Sequence, residues 1–246
     1  MPIITISRGT FSGGKQLAEE LGKKLHYRSV SREVIVRAAA EAGVSEHKLR
    51  AAIGQSFSTR EHSGMDMNSD RAHYLAFVQA ALCEEARHDN IIYHGHGGHL
   101  LLNCYFVGGN LLYKGISHII KVMIVAALEQ RIVFAMKNNG LSRADAKAYI
   151  LAMDEQKRKW ARFLYKTDWD DLSQYDLVVD LQKTTLQEAG ERICAMAGLQ
   201  QFQATPASRQ AMEDLLAACR KNRHLHQSML SGVTSRRDLD STGIVI

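Results

Sequence analysis

Gly9, Gly14 and Lys15 stand at the spacing G-x-x-x-x-G-K within Ser7-Arg8-Gly9-Thr10-Phe11-Ser12-Gly13-Gly14-Lys15-Gln16. Glycines at this spacing let a backbone wrap an anion with several N–H groups pointing inward. A helix that starts at the second glycine adds about half a positive charge, and Lys15 adds a full one. The expected ligand is a nucleotide polyphosphate. The position after the lysine calls for a Ser or Thr hydroxyl on Mg²⁺, and here it is Gln16. The competing reading is a Gly-rich turn with an incidental lysine. The order of apolar run, glycines, lysine and helical pattern argues against it.

Those residues need a strand before them and a helix after. The β-branched run at residues 3–7 reads as a buried strand, and 14–25 as a helix with Leu17, Ala18, Leu21 and Leu25 on one face. Ser31 is placed to cap a helix over 32–42, and Ser45 to cap a short one. Residues 54–69 are polar and aperiodic and read as a mobile loop. A helix is expected over 70–88 and a short strand at Ile91–Tyr93. The clearest internal strand is 119–125. Helices follow over 126–137 and 142–165, parted by Asn138-Asn139-Gly140. A last strand at 175–180 leads to a helix over 185–197. Strands alternating with helices predict an α/β fold with a parallel sheet covered on both faces. Ligands of such sheets sit at the carboxyl ends of the strands, and the Gly9–Lys15 loop lies at one.

The 246 residues suffice for one large α/β domain plus an appendage, with a boundary expected near Pro206. The division predicted is 1–198 and 205–246. The net charge of +5 suits anionic small molecules, and no Lys/Arg block is dense enough to favour nucleic acid. Four dispersed cysteines without a C-x-x-C pair read as reduced, mostly buried thiols. A chain that enters a strand at once predicts no signal peptide, and no apolar run approaches about 18 residues, so no transmembrane helix is expected. Together these predict a cytoplasmic protein.

Four stretches carry a resemblance to the cytidylate kinase-like family, a branch of the nucleoside monophosphate kinases, over roughly residues 1–198. They are Ile4-Thr5-Ile6-Ser7-Arg8 with Ser12-Gly13-Gly14; Tyr27 through Arg32-Glu33-Val34-Ile35; Val122-Met123-Ile124-Val125-Ala126 with Glu129-Gln130-Arg131-Ile132; and Leu141-Ser142 through Ala146, Asp154, Arg158, Asp168-Trp169 and Tyr175-Asp176-Leu177-Val178. The resemblance implies a three-layer P-loop kinase fold with a helical lid, and transfer of the ATP γ-phosphoryl group to a nucleoside monophosphate such as CMP, with Mg²⁺. It implies that Gly9, Ser12, Gly13, Gly14, Lys15 and Gln16 meet ATP, with Lys15 bridging the β- and γ-phosphates. Arg131 and Arg158 would neutralise the transferring group, with Asp154, one helical turn earlier, orienting Arg158. Arg32, Arg8 and His96 fall on the acceptor side. After the strand at 91–93 the family pattern has Gly-Arg, whereas this chain has Gly95-His96.

Other residues carry competing readings. Asp154, Glu155, Lys157, Arg158, Lys159 and Arg162 also suit a solvated helix face. His94, His96 and His99 have a metal-ligand residue type, but their loose Gly-rich segment holds no Cys or carboxylate, so no metal is assigned to it. Trp160, Phe163, Tyr165 and Trp169 suit base stacking or, with helical spacing, packing of the lid. Residues 205–246 faintly resemble the start of a BON domain, or form a helical tail over 208–220 that packs on the main domain or on a second subunit of a homodimer. Two further functions stay open: a nucleotide-binding regulator, on account of Gln16 and His96, and an interaction module acting through residues 205–246.

Overall fold

The computed structural model describes residues 1–50, 67–107 and 110–230. In chain order the elements are β1 (Ile3–Arg8), α1 (Gly14–Leu25), β2 (Arg28–Val30), α2 (Arg32–Ala40), α3 (Glu46–Arg50), α4 (Met67–Ala86), β3 (Ile91–Tyr93), α5 (Gly98–Leu101), β4 (Cys104–Val107) and β5 (Asn110–Tyr113). There follow β6 (Ile119–Val125), α6 (Leu128–Asn139), α7 (Arg143–Tyr165), β7 (Leu177–Asp180), α8 (Leu186–Gly198) and α9 (Pro206–Leu230). They fall into two compact units. One comprises residues 1–32, 89–99 and 117–204; the other comprises 33–88, 100–116 and 205–246.

The first unit holds a five-stranded parallel sheet in the order β2-β3-β1-β6-β7. Ile3, Ile4 and Ile6 are buried, as a central parallel strand with both faces covered requires. β1 pairs along its whole length with β6, Ile3 against Ile119 through Arg8 against Ile124. Leu17 and Leu21 of α1 and Ala189 and Ile193 of α8 join Ile4, Ile6, Val122, Ile124 and Val179 in one core cluster. The chain leaves β1 toward β2 and β3 but leaves β6 toward β7. The carboxyl ends of β1 and β6 therefore flank a switch in strand order, where α/β sheets bind ligands.

A second cluster joins α6 and α7 through Ile132, Ala135, Ala146 and Ile150, with Phe11 packed against it. Gly140 turns between the two helices at φ +64°. Ser142 caps α7, its side chain accepting from the Asp145 N–H. This is the helix-stop and helix-start grammar expected of Asn138-Asn139-Gly140-Leu141-Ser142.

In the second unit α9 runs along α4, and Met212, Leu215, Leu216 and Cys219 form its buried face. Glu84 accepts from Arg220 and Arg223 at 3.2 Å each, and the Cys83 and Cys219 sulfurs lie 3.7 Å apart as free thiols. β4 and β5 form an antiparallel hairpin that the sequence reading omitted. β2 was also missed, since two of its three residues are exposed and give no apolar pattern. The loop expected over 54–69 is corrected at its end, because α4 already begins at Met67; 54–66 lie outside the described residues. The helix expected over 208–220 extends to Pro206–Leu230, and residues 231–246 lie outside the described residues. Among the described residues no helix is long and apolar enough to cross a membrane.

α8 starts with a reciprocal cap. The Thr185 hydroxyl accepts from the Glu188 N–H, and the Glu188 carboxylate accepts from the Thr185 N–H at 2.8 Å. Thr185→Ala is expected to lower unfolding free energy by about 1 kcal/mol in urea titration; an unchanged midpoint would mean the cap contributes nothing to the fold.

Candidate active site

The loop between β1 and α1 is held from inside and from one side. The Ser12 N–H and hydroxyl both donate to the Gly9 carbonyl, at 3.3 and 2.9 Å. Phe11 (φ +61°) and Gly13 (φ +82°) are left-handed. Glycine adopts this at little cost, but a bulky residue does so only when its surroundings impose it. For Phe11 they do: its ring packs against Phe134 and Tyr149, at centroid distances of 6.3 and 5.7 Å. Gly13 is the N-cap of α1, and no side-chain hydrogen bond caps that helix. An uncapped helix start of this kind is the arrangement that suits an anion. Lys15 and Gln16 follow on the exposed side, with Lys15 3.9 Å from Glu19 in a solvent-screened pair worth little.

Two glycines make room for cations. A Cβ on Gly14 would lie 2.5 Å from the Arg8 side chain, and one on Gly9 would lie 2.9 Å from the Arg131 guanidinium. Arg131, from α6, donates to the Thr10 carbonyl (3.4 Å) and pairs with the Asp154 carboxylate of α7. Asp154 also accepts from the Thr10 N–H (3.0 Å), the Thr10 hydroxyl (2.8 Å) and the Lys157 ammonium (3.2 Å). Burial pushes the Asp154 carboxyl up, but Lys157, Arg131 and Thr10 outweigh it and hold the carboxyl below its ordinary value. Lys157 donates further to the Arg8 carbonyl at 3.1 Å and the Thr10 hydroxyl at 2.9 Å. Burial pulls its amine down to about 8, against the opposing pull of Asp154.

Two expectations are corrected here. Asp154 orients Arg131 and Lys157, whereas the hydrogen-bond partners of Arg158 are Asp170 at 2.6 Å and Glu155 at 3.2 Å. Lys157, grouped by sequence with the solvated face, is only 15% exposed. The signal was in the spacing. Ile150, Asp154, Lys157, Ala161 and Leu164 recur at steps of four and three, so they share the face that α7 buries. Arg158 lies one residue off that face.

The model of the cytidylate kinase-like family matches residues 3–183. The chain belongs to the cytidylate kinase-like family. No curated protein matches it. Among solved structures, an uncharacterized protein from Eubacterium ventriosum ATCC 27560 is 15% identical, with a TM-score of 0.55 over 80% of this chain and 97% of that one. The shikimate kinase of Bacteroides thetaiotaomicron (TM-score 0.45) is 11% identical over 80% of this chain and 99% of its own. A gluconokinase from Sinorhizobium meliloti 1021 (TM-score 0.41) is 11% identical over 95% and 98%. At these identities such likeness concerns the fold alone. The sheet, its strand order and the family match make this a three-layer P-loop kinase fold.

In this cytidylate kinase-like chain the turn after β3 is occupied by histidines that diverge. His96 stacks on Trp169 (4.8 Å, 12°) and meets the edge of Trp160 (4.3 Å, 75°). Its Nε2 is buried and has no hydrogen-bond partner among the described residues. Burial, then Lys157, Arg32 and His99, lower its pKa well below the ordinary value, so it is neutral at pH 7. His99 bridges the Ser7 hydroxyl (2.9 Å to Nδ1) and the Tyr175 hydroxyl (3.2 Å to Nε2), and burial with Lys121 lowers its pKa to about 3. The partners lie 92 and 76 residues away in sequence, which is why sequence reasoning missed the chain. Among the described residues no group of three or more His, Cys, Asp or Glu is placed to hold a metal ion. Trp160 is fully buried against His96 and Tyr165, a packing position. Arg32 opens α2, half-buried and within electrostatic reach of His96.

The two neutral histidines make stability acid-sensitive. Below about pH 6.5 the unfolded chain protonates both, while the folded chain holds His99 neutral down to about 3. The unfolded state then binds more protons, so stability falls as pH falls, by up to about 1.4 kcal/mol per pH unit for each group. His96→Phe, which keeps the stacking, is expected to make the slope of unfolding free energy between pH 6 and 4.5 shallower by about one proton. An unchanged slope would place the His96 titration elsewhere.

Proposed function

We propose that this protein transfers the γ-phosphoryl group of ATP to a nucleoside monophosphate, with CMP the acceptor favoured by the family. One observation carries the reading: an uncapped helix start at the carboxyl end of β1, with the Arg131 guanidinium held against the same loop. The fit of a nucleotide is chemical. The loop presents unclaimed amides, a left-handed Gly13 and several fixed cations, which are what a polyphosphate requires. When bound, Mg²⁺ would neutralise phosphate charge, and the Gln16 amide oxygen is the group of this loop that would hold it.

The chain's own residues divide the rest of the work. The Gly13 and Gly14 amides hold the β-phosphate, with Gly9 and Ser12 setting the loop, and the exposed Lys15 swings onto the β- and γ-oxygens. Arg131 stabilises charge that spreads as the phosphoryl group moves. Arg158 is the second such cation and reaches the site by exchanging Asp170 and Glu155 for phosphate. Arg32 and Arg8 hold the acceptor phosphate, and neutral His96 offers its unclaimed Nε2 to the acceptor. A cytoplasmic location fits a reaction that consumes ATP.

A second reading, a nucleotide-binding regulator with weak turnover, is favoured by Gln16 in place of a hydroxyl residue and by the absence of charge on His96. The interaction-module reading concerns residues 205–246, of which 206–230 form α9 with its apolar face buried and 231–246 lie outside the described residues. ADP formation with a panel of nucleoside monophosphates decides between turnover and regulation; acceptor-independent silence with retained ATP binding would favour the regulator.

Two mutational outcomes follow from the assignments. ATP at 100 times its dissociation constant adds about 2.7 kcal/mol to stability, and Lys15→Ala should remove most of that; equal ATP affinity by titration calorimetry would disprove the loop assignment. Arg131→Ala and Arg158→Ala should lower kcat by about 10³-fold or more while weakening ATP binding far less. Lys159→Ala serves as the surface-charge control. If Arg158→Ala behaves like that control, Arg158 has no part in the chemistry.

A further inference from the structure

An ammonium group has three N–H donors and no acceptor. All three donors of Lys157 are committed: to the Arg8 carbonyl at 3.1 Å, the Thr10 hydroxyl at 2.9 Å and the Asp154 carboxylate at 3.2 Å. Two of these acceptors belong to the segment that opens the phosphate loop. The Thr10 hydroxyl gives its own proton to Asp154, so its lone pair is what Lys157 meets. A neutral amine has two donors and one lone pair. Set among three acceptors, it would place lone pair against lone pair at one of them, and that contact must open.

We propose that protonated Lys157 is a positioning residue, a three-way clamp that fixes the phosphate loop in its nucleotide-binding form. The proposal rests on the nucleotide reading above and adds to it a dependence on the charge state of one residue. Lys157 does not touch the phosphates, since it has no donor left for them. It acts through Thr10 and Asp154, and through Asp154 on Arg131.

The groups facing Lys157 leave it as the one that changes charge in the alkaline range. Arg8 from β1 and Arg131 from α6 stay charged. Asp154 on α7 is ionised, and His96 on the turn after β3 is already neutral. The Lys157 proton leaves the folded protein near pH 8.

The test is ADP affinity, by titration calorimetry at fixed Mg²⁺ and ionic strength, from pH 7 to 9.5. Wild type should bind ADP about tenfold more weakly at pH 9 than at pH 7, as one unit above the titration predicts. Lys157→Met should bind weakly at every pH with a flat profile. Lys157→Arg keeps the charge, so its profile should also be flat while its affinity at pH 9 exceeds that of wild type. If the Met variant fails to fold, the wild-type and Arg profiles decide. A flat wild-type profile, or the same alkaline fall in Lys157→Arg, overturns the clamp and leaves nucleotide binding intact. No ADP binding by wild type at any pH overturns the nucleotide reading and the clamp with it.

Discussion

A carboxylate moved out of water costs several kcal/mol unless its oxygens are met by donors. Asp154 is only 13% exposed, and it meets that requirement by drawing in a loop amide, a hydroxyl, a guanidinium and an ammonium. The consequences reach across the site. Arg131 and Lys157 repel one another and Arg8, and only the negative charge between them lets three cations sit beside one loop. A side chain at Gly9 would press its Cβ to within 2.9 Å of the Arg131 guanidinium. Thr10 presents both its N–H and its hydroxyl because both are claimed by the same carboxylate oxygen. The loop's shape is therefore set from α6 and α7 as much as by its own glycines.

The sheet supplies the rigid frame against which this arrangement works. β1 is bonded on both sides to parallel neighbours, so the position of Arg8 is fixed by six paired residues with β6. The polar chain of Ser7, His99 and Tyr175 ties β1 to the segment after β3 and the segment before β7, with each ring nitrogen of His99 engaged. A satisfied buried network of this kind specifies one arrangement, since any shift would leave a polar atom unmet. Arg8, Arg131 and Lys157 surround the single carboxylate of Asp154 beside the loop, and an incoming polyphosphate would neutralise that excess.

Local features of this site were legible in the sequence, and relations between distant residues were not. β1, the loop and α1 occupy consecutive positions, so apolar run, glycines and helical period could be read directly, and the boundaries of α1 match residue for residue. Arg131 entered through the family resemblance, and the structure sets its guanidinium against the Thr10 carbonyl of the loop. Lys157 and Arg158 are adjacent in sequence but about 100° apart on a helix. Which of them turns inward is decided by the rotation of α7, and that is fixed by burial of Ile150, Trp160, Ala161 and Leu164. The type of residue favoured Arg158; the packing favours Lys157. Likewise, nothing local links His96 to Trp169 or His99 to Ser7, because those contacts exist only once the sheet has brought separate segments together. The β4–β5 hairpin is a different kind of omission: Gly108-Gly109 between two apolar runs is a readable turn signal.

The central claim is that the uncapped start of α1 and the cations ordered by Asp154 form one site for a nucleotide polyphosphate. The most direct measurement is an NMR titration of ¹⁵N-labelled protein with a non-hydrolysable ATP analogue and Mg²⁺, following backbone amides and arginine Nε resonances together. The account predicts large, concerted shifts of the Gly13, Gly14 and Lys15 amides and of the Arg131 Nε, all saturating with a single dissociation constant. Shifts that spare the loop amides, or an Arg131 signal that moves with a different dissociation constant, would contradict it.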